Sequence, residues 1–334
     1  ASGAAASGSS GASTSGSSGA ATSGNGGADA GDAAALAVEA GAGEGGAAGW
    51  HAVTTTLSSM QSLKNLWGSS PTNIWASGDD ALHGWLFHWD GTAWTASQPA
   101  TNPPPLSDLW GSSATDIWVT GDGGALYHYD GNAWTAKTSG TTNPLAAIYG
   151  TAANDIWAVG DLGTVLHWNG TAWTSSNPGT TTTNFAAVWA SSATDVWIVG
   201  DLGAIRHYNG TAWSASTSGT VQKLGDIWGS GPNDVWASGA TGTLVHWNGT
   251  MWAVSTLNTP LVGAAHASLN GLRGTGPNDI WVTADLGGLF HYDGTAWTPS
   301  SSGSVNNLAA VWPIAGGTPD AWIVGDFATI LRHN

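Results

Sequence analysis

The chain has 334 residues, with 23 Trp and 50 Gly set against only 28 charged side chains, and its net charge is −16. That composition is foreign to a helical protein and fits an all-β chain. Six scattered Lys or Arg form no basic stripe to neutralise a phosphate backbone or an anionic bilayer, so nucleic acid and anionic membranes are poor partners. The absence of cysteine excludes disulfides, thiolate metal sites and thiol chemistry, and no apolar run is long enough for a membrane-spanning helix.

Residues 1–48 are almost wholly Ala, Ser, Gly and Thr without one aromatic residue. So little apolar surface cannot offset the entropy of ordering the backbone, and the segment is expected to be a disordered linker. The next stretch, Ala48 to Val53, reads as a short strand carrying Trp50. From Trp67 onward a repeat takes over, clearest between Leu145 and Thr174. Four short runs rich in β-branched and aromatic residues are separated there by Gly, Asn and Asp, which predicts four strands. Asn169-Gly170 between the last two runs predicts a two-residue type I′ hairpin.

The second-strand Trp recurs at Trp75, Trp118, Trp157, Trp197, Trp236, Trp281 and Trp322, at intervals of 39 to 45 residues. Four strands per unit and a period near 40 predict a β-propeller, here of seven blades with four antiparallel strands each, spanning residues 49–334. The seventh copy ends before its fourth strand. The strand around Trp50 supplies the missing one, so the last blade is expected to be closed by the N-terminal strand, leaving no free edge.

The repeated positions have structural readings. Trp on the second and fourth strands fills the space between stacked sheets, and the first-strand aromatics Trp67, Trp110, Tyr149, Trp189, Trp228 and Trp312 are expected to pack between blades rather than line the channel. One His per blade (His88, His128, His167, His207, His246, His291) is spaced too widely round a ring to share a metal ion. The predicted hairpin register sets these His opposite Ala93, Ala133, Ala172, Ala212 or Met251, and the Asp that opens the second strand is the expected imidazole partner. The Gly-Asp turns after the second strand are expected to bond their own backbone amides, since one carboxylate per blade cannot satisfy Ca²⁺. No metal or cofactor is expected.

The hairpins Asp90-Gly91-Thr92-Ala93-Trp94 and Asp293-Gly294-Thr295-Ala296-Trp297 carry a family resemblance. The repeat resembles the blades of bacterial extracytoplasmic propellers of the Asp-box (BNR) and Kelch-like kind, although the hairpin is one residue shorter and an aromatic precedes it. The tail resembles the spacer of bacterial surface lipoproteins. These resemblances imply an extracellular or outer-surface location, with a lipid anchor upstream of Ala1. In sialidases the Asp-box is a structural turn remote from catalysis, so fold is implied and activity is not.

Ligand specificity in a repeat ring has to come from positions that differ. Blade one lengthens the loop holding Asp79, Asp80, His83 and Trp85, the last being the only Trp outside the repeat. Arg206 replaces an apolar third-strand residue of blade four, Arg273 replaces the first-strand aromatic of blade six, and the approach to blade six is stretched to His266. Loops from the second to the third strand and loops between blades emerge on one face of a propeller, so these residues mark a ligand-binding face. The expected function is a non-catalytic recognition module for a glycan or a protein partner. The alternatives are a carbohydrate-active enzyme, a glycosidase or lyase, and a structural scaffold. Residues 49–334 contain no Glu, only Asp80, Asp108 and Asp226 among their Asp fall outside repeat positions, and no nucleophile or metalloprotease motif is present, which disfavours the enzyme.

Overall fold

The computed structural model describes residues 49–55, 57–58, 60–255, 257, 267–314 and 320–333. The linker expected over 1–48 lies outside the described residues. The described residues form seven four-stranded sheets, six of them ordered consecutively from the innermost strand outward, with every pair antiparallel. Blade three shows the pattern with Leu145–Ala152, Asp155–Gly160, Val165–Trp168 and Trp173–Ser175. Burial falls outward: every residue of Asp155–Gly160 is buried, whereas the outermost strand keeps only its Trp partly covered. A strand sandwiched between two neighbouring blades must be apolar on both faces, and this one reads Ile-Trp-Ala-Val.

The seventh sheet pairs Leu308–Pro313, Ala321–Gly325 and Thr329–His333 with Trp50–Ala52, in the register Trp50 to His333. The N-terminal strand therefore closes the last blade, as the sequence predicts. Trp50 meets Trp281 of blade six edge-on at 5.5 Å, and Trp322 of blade seven meets Trp94 of blade one in the same way at 5.4 Å, so the ring is continuous. Each second-strand Trp is boxed by the next blade. Trp157, for example, has Tyr208 tilted at 5.3 Å and Trp213 edge-on at 5.6 Å, geometries that suit the ring quadrupole.

The first-strand aromatics pack between blades. A Cβ on Gly111 would stand 2.7 Å from the Trp67 ring, and the same holds for Trp110 over Gly150 and Trp189 over Gly229 within a few tenths of an ångström. Each of these three Trp rings thus lies on a glycine of the following blade. A β-bulge early in the innermost strand, between Leu145 and Ala147 in blade three, recurs in every blade and turns the next residues toward the axis.

Two expectations about the outer hairpin are corrected. The connection is a four-residue loop bounded by the pair Trp168 and Trp173, and Gly170 takes a positive φ (89°) while Asn169 does not, so no type I′ turn forms. The Asn169 side chain closes the loop instead, accepting from the amides of Thr171 and Ala172 at 3.0 Å. The longer loop moves the register: His167 faces Thr174 and His88 faces Thr95, not the alanines expected from the shorter turn.

Candidate functional site

The recurrent His residues are bound in a repeated network. His207 Nε2 lies 2.6 Å from Asp195 Oδ1, Ser191 donates to the other oxygen of that carboxylate, and the imidazole stacks on Trp197 at 4.0 Å. Blades two to six share the arrangement. The Ser or Thr touches the Asp and not the His, so the order is wrong for base activation of a hydroxyl. These hydrogen bonds hold the Asp155, Asp234 and Asp279 carboxyls below the usual range, in each case with the His hydrogen bond as the strongest lowering influence; burial opposes it and is the largest single influence at Asp155 and Asp234.

The sequence-predicted site residues do not form one site. Asp79, Asp80, His83 and Trp85 share the long loop of blade one: Asp80 Oδ1 accepts from the amides of Leu82 and His83, and Asp79 Oδ1 from that of Ala81. Trp85 is half-buried, with one face parallel to Phe87 at 6.3 Å. Beside it, His83, Trp85, Gln98 and Asn102 border an open cleft of about 520 Å³. Arg206 lies apart, its Nε donating to Pro178 O at 3.2 Å. His266 lies outside the described residues.

Arg273 turns into the axial channel. Nη1 donates to Asp226 at 3.1 and 3.2 Å and to Leu272 O at 2.8 Å. Burial works against its charge, but the Asp226 and Asp108 carboxylates outweigh that and raise its pKa. Asp108 stands in the same cavity, 5 % exposed, accepting from the amides of Leu109 (2.7 Å) and Ile148 (2.8 Å) and from Asn65 Nδ2. Burial pushes its carboxyl up to about 7. Asp108 and Asp226 thereby stitch adjacent blades, each capping an amide of the following blade that the bulge leaves unpaired.

A second feature of the second-to-third strand turns was not read from the sequence. Leu162, Leu202, Leu286 and Phe327 occupy the turn tips at φ of 55 to 58° and are 57 to 81 % exposed. Leu82, Met60, Val221 and Val305, also exposed, lie on turns or inter-blade loops of the same face. The tips are pinned. Asn184 accepts from the Leu162 amide and donates to Asp201 of the next blade, and Asn307 does the same between Leu286 and Asp326, all at 3.0 Å. The expected bond from the turn Asp to its own amides is found at Asp79, whereas Asp201, Asp285 and Asp326 clamp the incoming inter-blade loop. The Asp-Leu and Asp-Phe pairs are visible in the sequence; their exposure is not.

No protein-family model matches the chain, and neither does any curated protein sequence. Solved structures do. YCF48 bound to D1 peptide is similar at a TM-score of 0.66 and 14 % identity over 85 % of this chain and 96 % of that one, and YCF48 from Cyanidioschyzon merolae at 0.68 and 14 % over 86 % and 99 %. The extracellular domain of the hybrid two-component system BT3049 from B. thetaiotaomicron matches at 0.66 and 12 % over 81 % of this chain, which spans 40 % of that one. At such low identity the likeness is one of fold: this chain shares the seven-bladed propeller architecture.

Proposed function

We propose that the protein is a non-catalytic recognition module, working outside the cell, that holds a protein partner on the face formed by the second-to-third strand turns. The observation that carries this reading is the set of exposed apolar tips in left-handed backbone. An L-residue there costs roughly 1–2 kcal/mol, and exposed apolar side chains grouped on one face mark interaction surfaces. Blade packing does not require them, because Gly123 and Thr241 serve the same turn in blades two and five. Each tip follows a carboxylate, at Asp161, Asp201, Asp285 and Asp326. The complementary partner presents apolar side chains interspersed with Lys or Arg. A peptide bound to the structurally similar YCF48 and the extracellular setting of the BT3049 domain are in keeping with this reading.

A displayed library of random 15-residue peptides, panned against the wild type and against a variant with Leu162→Asn, Leu202→Asn, Leu286→Asn and Phe327→Asn, tests it. Basic, apolar sequences should be enriched by the wild type alone. Equal enrichment on both proteins, or enrichment of acidic sequences, would refute it. The cleft beside Trp85 favours a second reading, a glycan site: retention on a glycan array should then be lost in Trp85→Ala while circular dichroism shows the fold retained. A carbohydrate-active enzyme would instead turn over a polysaccharide in a manner abolished by Asp80→Asn.

A further inference from the structure

We infer that the axial cavity binds one cationic group, a primary ammonium or a guanidinium, supplied by a free amine or by a side chain of a protein docked on the face to which the cavity opens. The cavity measures about 150 Å³ and is lined by the second to fourth residues of the innermost strands, with Arg273 below them. Those strands begin at the inter-blade loops, so its mouth lies at the centre of the apolar rim. The volume equals about five waters at ~30 Å³ each, room for the end of a lysine side chain. Ala147, Ala187 and Ala310 leave that space open.

The charge pattern selects the sign. Arg273 is paired with Asp226, and Lys64 at the mouth is paired with Asp79. Asp108 remains. It is 5 % exposed, its three donors are uncharged, and no cation is in ion-pair contact with it among the described residues. Arg273 acts on Asp108 only through space, and its one positive charge faces two carboxylates, so the excess negative charge favours an incoming cation. An anion would find the Arg273 charge already taken. Facing Asp108 are Lys64 and Asn65 from blade one, Asp226 from blade five and Arg273 from blade six, and Tyr149 from blade three lies within the field of Arg273.

The inference rests on the proposed docking face only for the source of the cation, and a small amine tests it separately. Titration with n-butylammonium chloride, followed by calorimetry, should give saturable binding where sodium acetate gives none. Affinity should rise about tenfold from pH 6 to pH 8 as Asp108, with its carboxyl near 7, loses its proton. Asp108→Asn should weaken binding at pH 8 at least about tenfold. Should that variant misfold, the wild-type pH profile decides alone. No saturable butylammonium binding, a flat or falling profile, or acetate binding in place of butylammonium would overturn the inference. Basic peptides from the library then identify the source. Weakening by Asp108→Asn and by Lys→Met in the peptide assigns the cation to a docked protein, and indifference to both, with butylammonium still bound, assigns it to a free amine.

Discussion

At the scale of single residues, substitutions inside the repeat show which property each position needs. Blade one carries Asn73 where other blades have Asp, and His88 Nε2 still lies 2.6 Å from its Oδ1. An acceptor is required there, and charge is not. Blade seven replaces His by Arg332, which pairs with Asp320 at 2.9 and 3.1 Å and lies 5.1 Å over Trp322, so a planar donor that stacks on indole is the common need. Asp108 behaves differently because its ionised form is the costly one. Its folded pKa lies above its ordinary value of 3.8, so the folded chain holds a proton that the unfolded chain has lost between about pH 4 and pH 7. Its contribution therefore becomes more favourable as pH falls from 8 toward 5, on the order of 2–4 kcal/mol. Urea denaturation should show a larger rise in stability from pH 8 to pH 5 for the wild type than for Asp108→Asn. Below about pH 4 the depressed carboxyls of Asp155, Asp234 and Asp279 act in the opposite sense, and stability should fall as they take up protons.

At the scale of elements, the turn between the second and third strands is rigid and locally unfavourable at once. The Leu202 tip combines a φ of 55° with 81 % exposure, and the turn ends at Gly203, where a Cβ would stand 2.2 Å from Thr220 O. Asn tolerates the left-handed region better than Leu. Leu202→Asn should therefore stabilise the isolated protein by about 0.5–1 kcal/mol in equilibrium denaturation, while weakening capture of basic, apolar peptides. A purely structural role for Leu202 would give the opposite sign of stability change. The outer hairpins need no such strain, because Asp90 and Asp293 accept from the Thr hydroxyl and two amides of their own loops, which lowers both carboxyls to about 2.

For the whole molecule, ring closure depends on one three-residue strand. Trp50–Ala52 covers the edge of Thr329–His333 and brings Trp50 onto Trp281. A chain beginning at residue 56 should lose about 3–5 kcal/mol relative to one beginning at residue 48, the scale of removing a packed Trp. The bare edge should also promote self-association. Chemical denaturation and size-exclusion chromatography measure the two effects, and unchanged values for both would mean that the strand is dispensable.

The sequence by itself determined the architecture, because a Trp returning about every 40 residues and a final copy one strand short admit a closed seven-bladed ring. Packing partners for the repeated His were legible for the same reason, since Asp and His recur at constant spacing. The hairpin register was not, because Asn-Gly serves two turn types and a side-chain hydrogen bond decided between them. Arg273 stood out as a departure, but its pairing with Asp226, 47 residues away, exists only once the bulges aim both residues at the axis. The apolar tips were likewise hidden, since a Leu beside a Gly-Asp turn resembles any core leucine until blade stacking leaves it in water.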